Sequence, residues 1–175
     1  MAVRKIRKLD LRGVTPESWL CVDCGVNTAP GYKGRVELER AYKASALSAS
    51  GEESVPLSFT PWSEVYTVRN TVWKQAGMEG WGGCLCIGCL EKRIGRQLTP
   101  KDFDPKHAFN TDEMPGTVRL LSRRMGHGII NHADGMFVVC GGEATPVKTE
   151  QEAGEMICKW AEAGLWPDVE LVEEE

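Results

Sequence analysis

Two CxxC pairs constrain this chain more than any other feature of its sequence. Cys21-Val22-Asp23-Cys24 is followed by Gly25, and Cys86-Ile87-Gly88-Cys89 runs directly into Leu90, with 61 residues between the pairs. Four soft sulfur ligands are what a zinc ion takes in a tetrahedral structural site, and two such pairs supply them with little strain. The glycine after Cys24 suits a knuckle, a tight turn whose thiolates accept backbone N–H bonds and whose exit needs φ > 0. The second pair opens a predicted helix. There the positive end of the helix dipole and the free N–H groups favour thiolate.

The sequence therefore predicts one structural Zn2+ held by Cys21, Cys24, Cys86 and Cys89. A knuckle first and a helix-borne pair second is the order found in treble-clef folds. The long insert is compatible with this, because closure entropy grows only slowly with loop length. Two other readings compete: four buried thiols in a metal-free core, and a redox CxxC. Neither pair has the βαβ surroundings of a redox motif. Cys84 offers a third sulfur beside the second pair. Cys86 and Cys89 have the knuckle spacing and directly precede the helix, so Cys84 reads as a bystander, although its replacing Cys86 stays open. Cys140 and Cys158 read as small hydrophobes.

Seven cysteines with no apolar stretch after the basic start, Met1 to Arg12, point to a reducing compartment and a cytoplasmic location. No apolar run approaches the roughly 20 residues that span a bilayer, so no membrane is expected. A net charge of −4 argues against coating nucleic acid by bulk charge. The ends are uneven, with Arg4, Lys5, Arg7, Lys8 and Arg12 at one and Glu170 and Glu173 to Glu175 at the other. Such ends are ordinarily solvated.

The fold class expected is α+β: a treble-clef or zinc-ribbon-like four-cysteine domain over residues 15–103, a linker over 104–116, and a small helix–β-hairpin–helix unit over 117–168. Residues 1–14 read as a polar arm or short edge strand, 36–47 as a short helix and 48–54 as a surface loop. Glu64 to Val68 is a strand candidate. Asn70 is a candidate cap for a helix ended by Gly77. Leu90, Ile94 and Leu98 recur at i, i+4, i+8, which predicts a helix over 90–98 with one buried face. Thr117 caps a basic helix ended by Gly126. Asp134-Gly135 between two apolar runs predicts a hairpin. Thr149-Glu150-Gln151-Glu152 is a capping box that opens a last helix.

Trp19 to Gly31 (WLCVDCGVNTAPG) and Gly83 to Phe103 (GCLCIGCLEKRIGRQLTPKDF) carry a resemblance, together with Tyr66 to Met78. Over about half its length the chain resembles a group of small bacterial and phage proteins with paired CxxC motifs. The resemblance implies a treble-clef or zinc-ribbon-like domain and no particular activity. Treble-clef HNH nucleases share such a scaffold, but this sequence lacks their His-rich hairpin before the helix.

Closed four-cysteine sites leave no coordination position for water. The expected function is thus an interaction module that binds protein or nucleic acid and does no chemistry. Arg93 and Arg96 on the zinc helix, with Arg119, Arg123 and Arg124 on the next, are the candidate partner-binding residues. Each could equally sit on a solvated face. One alternative is a zinc-scaffolded nucleic-acid-processing enzyme that uses Asp102 and Asp104. Another is a phage-encoded inhibitor of a host protein. His107, His127 and His132 form no metal-binding spacing, and no phosphate loop or nucleophile elbow is present.

Overall fold

The structure is a computed structural model, and it describes residues 19–30, 32, 59–79 and 82–167. The basic arm, the helix expected at 36–47, the loop at 48–54 and the acidic end lie outside the described residues. The elements run α1 (Asn70–Gln75), α2 (Ile87–Ile94), two 3-10 turns (Pro100–Asp102 and Ala108–Asn110), α3 (Val118–Met125), β1 (Gly128–His132), β2 (Gly135–Cys140), β3 (Glu143–Val147) and α4 (Glu150–Glu162). Among the described residues no helix is long and apolar enough to cross a membrane.

The apolar stripe on α2 is buried as its spacing requires. Leu90, Ile94 and Leu98 all enter one cluster with Val68, Val72 and Ile87. Burying side chains of this size contributes about 1.5–3 kcal/mol each. The helix is shorter and earlier than the expected 90–98, because Gly95 takes a left-handed φ of +72° at its C-cap. Leu98 stays buried beyond that turn, where its N–H donates to Glu91 Oε1 at 2.9 Å. Asn70 is not a cap but the first residue of α1, and Arg69 stands at the N-cap. Glu64 to Val68 is extended yet forms no strand, with only Val68 bridged to Phe103.

Residues 104–116 pack against the cysteine-bearing half. Asn110 is buried and bonds Thr67 through both its carbonyl and its amide. Phe109 and Met114 pack on a second cluster built from Ala29, Phe59 and Val65. Thr117 caps α3 by accepting the N–H of Leu120, and Leu120 is buried in the first cluster. The C-terminal unit therefore shares its core with the cysteine-bearing half.

That unit holds three strands rather than two, in the order β1-β2-β3 and antiparallel throughout. The first loop is Ala133-Asp134, one residue earlier than the Asp134-Gly135 centre the sequence suggested, with His132 paired to Gly135. The second loop is Gly141-Gly142, and both glycines take positive φ, as a tight two-residue hairpin turn demands. Pro146 masks β3 as a strand in the sequence. It is tolerated because β3 is an edge strand. Helix α4 covers the sheet through Ala153, which packs with Val138 and Val147. Its cap is Thr149, which accepts the Glu152 N–H, while Glu152 itself accepts from Lys148 N at 2.8 Å.

Candidate metal centre

The knuckle is a closed turn. Cys21 N–H donates to Val26 O and Gly25 N–H donates back to Cys21 O, both at 2.8 Å. Gly25 sits at φ +72°, where a side chain would be strained. The second pair reaches the knuckle through the segment before it. Cys84 bridges Cys21 in parallel, and Val22 N–H donates to Cys84 O at 3.0 Å. Cys86 is then the N-cap of α2, and Cys89 lies in its first turn.

These elements bring one sulfur from each of Cys21, Cys24, Cys86 and Cys89 within 4.8 Å of one another. Cys24 Sγ and Cys86 Sγ are 3.8 Å apart. A tetrahedron with sulfurs about 2.3 Å from its centre has edges of about 3.8 Å. The same spacing is far beyond a disulfide, whose sulfurs are about 2 Å apart. The donor set therefore fits a tetrahedral ion with four thiolate ligands. Cys21 and Cys86 are buried, Cys89 is half-buried and Cys24 is exposed. Cys84 stays outside the group, and its thiol donates to Leu20 O at 3.3 Å and lies 3.5 Å from Thr28 Oγ1.

The electrostatics of the bare cluster are divided. Burial would raise the Cys21 thiol, but the N–H groups of Cys86, Cys24 and Asp23 outweigh it and bring it down to about 7. Burial pushes Cys86 up, and burial together with the neighbouring sulfurs pushes Cys89 well up. Without a cation the cluster favours the thiolate of Cys21 and disfavours those of Cys86 and Cys89. A bound dication would reverse that balance and favour the thiolates of Cys86 and Cys89 as well.

The five arginines expected to face a partner are each engaged within the chain. Arg93 grips the knuckle, with Nε and NH2 on the two oxygens of Asp23 and NH1 on Ala76 O. Arg96 pairs with Asp102 through two bonds of 2.7 and 2.8 Å. Arg119 bonds Glu64 at 2.8 Å, and Arg124 bonds the carbonyls of Phe109 and Met114. Arg123 keeps only 10% of its side chain exposed, between Glu91, Glu143 and the Gly142 carbonyl. The five therefore do not form one free patch.

Asp102 is also committed. Arg96, then the backbone and hydroxyl of Thr99, hold its carboxyl down to about 2. Asp104 accepts the Lys106 N–H. The three histidines bond locally: His107 accepts from Phe109 N, His127 from Gly141 N, and His132 Nε2 donates to Pro61 O. None of them joins the thiol cluster.

Sequence reasoning passed over Glu64. This buried carboxylate accepts Ile87 N–H at 2.8 Å, the Thr117 hydroxyl at 3.0 Å, and both Nε and NH2 of Arg119. It ties the start of α2 to the cap of α3. Only its place among apolar neighbours hinted at a buried role. No known protein family, curated protein or solved structure matches the chain.

Proposed function

We propose that Cys21, Cys24, Cys86 and Cys89 hold one structural zinc ion in a treble-clef-like arrangement, and that the chain is a binding module for a protein or nucleic acid partner. The convergence of four sulfurs, with no histidine, carboxylate or open corner among them, carries this reading. Four thiolates close the coordination sphere, so the ion staples rather than reacts. The carboxylates a nuclease would use for a second metal do not converge: Asp102 is spent on Arg96 and on its cap, and Asp104 on a turn. Of the five arginines, Arg96 and Arg119 keep 43% and 47% of their side chains exposed and offer the most surface to a partner.

The test is capture from lysate by the zinc-loaded chain, with and without nuclease, beside an assay of nucleic-acid cleavage in magnesium. The reading expects a partner that the loaded chain retains and the chelated chain loses, and no cleavage. Magnesium-dependent cleavage that disappears in Asp102→Asn would contradict it.

A further inference from the structure

A cavity of about 300 Å3 opens where the first and second clusters meet. Four aromatic side chains line it: Trp19, Tyr66, Trp73 and Phe109. Their positions are fixed by other rings before any ligand arrives. Tyr66 and Trp73 lie nearly parallel, 14° apart with centroids at 6.2 Å. Trp19 is held edge-on by Tyr32 and Phe59 at 5.4 and 5.6 Å, and Phe109 edge-on by Phe59 at 5.8 Å.

The formally charged residues of the lining are of one sign. The lining includes the carboxylates Glu64 and Glu79 beside His107, and no lysine or arginine. Glu64 is spent on Arg119, Thr117 and Ile87. Glu79 is exposed, and its carboxylate has no hydrogen-bond or ion-pair partner among the described residues. Aromatic faces are electron-rich and attract cations, more strongly once water is displaced. A phosphate-bearing ligand would meet the Glu79 carboxylate here with no lysine or arginine to balance it. The volume stands at the small end of ligand pockets, about 300–1,000 Å3, and suits a head group rather than a large molecule.

We propose that this cavity binds a methylated ammonium group. The group could arrive on a small molecule such as choline or on a trimethylated lysine side chain. Ring faces of Trp73 and its neighbours would surround the methyl groups, and Glu79 would face the charge. The site goes beyond the binding-module reading and does not depend on the identity of the metal.

Calorimetric titration of the full metal-loaded chain tests it, with choline, a trimethyllysine peptide, adenosine and 3,3-dimethylbutan-1-ol, the uncharged isostere of choline. Both cations should bind at least about tenfold more tightly than the isostere. The tighter of the two identifies the source. Glu79→Gln, on the surface, should weaken the cations about fivefold and leave the isostere unchanged. Trp73→Leu should abolish cation binding, with melting temperature recorded alongside. The proposal is overturned if neither cation binds, if the isostere or adenosine binds as well as choline, or if Glu79→Gln changes nothing.

Discussion

Stripping the metal from the four-cysteine site should unfold the half of the chain built around it. Cys21 and Cys86 are part of the first cluster, and Cys89 packs against it, so an ion held by these sulfurs would sit at the edge of the main core. Structural zinc contributes about 10–16 kcal/mol in small metallodomains, whereas a whole domain is stable by only about 5–15 kcal/mol. The thiols left behind would reprotonate, since burial already raises Cys86 and Cys89. Amide exchange before and after a strong chelator, in reducing buffer, reads this out. Protection in α1, α2 and α3 should vanish together, because Leu120 of α3 belongs to the same cluster. The sheet and α4 have a separate cluster around Val138, Val147 and Ala153 and should keep part of theirs. Unchanged protection in α2 would mean that the ion does not hold the fold.

The second large effect falls on Glu64. Its side chain is only 7% exposed and satisfies a buried N–H, a hydroxyl and a guanidinium at once. Glu64→Ala removes every one of those acceptors and leaves the Ile87 N–H unpaired at the start of α2. Leaving a buried donor without its acceptor costs about 1–3 kcal/mol for each group stranded. Arg119→Ala should cost less, because the Glu64 carboxylate it leaves behind keeps its bonds to the Ile87 N–H and the Thr117 hydroxyl. Urea unfolding of the two variants gives the comparison. Equal losses would show that the ion pair, rather than the buried acceptor, carries the stability.

The contrast between Glu64 and the cysteines shows what the sequence could and could not carry. CxxC spacing is local, and each pair nearly determines its own geometry, so the four-sulfur cluster was legible from spacing alone. The buried stripe Leu90, Ile94 and Leu98 was legible for the same reason. The end of α2 was not, because Gly95 interrupts a pattern whose apolar spacing continues past it. Strand β3 was hidden by Pro146, which reads against a strand. The arginines were the least legible. Arg93 meets Asp23 across 70 positions and Arg119 meets Glu64 across 55. A charge run on a helix reads as free surface until the chain folds an acid against it. Glu64 was missed likewise, since its four bonds come from segments that only the tertiary fold brings together.

Elemental analysis of the purified chain is the most direct measurement of the central claim. The account predicts one zinc per chain, kept in Cys84→Ser, whose thiol bonds Leu20 O instead of joining the cluster. The zinc should be lost in Cys24→Ser and in Cys89→Ser. Full zinc occupancy in Cys89→Ser, or a correctly folded wild-type chain with no metal, would contradict it.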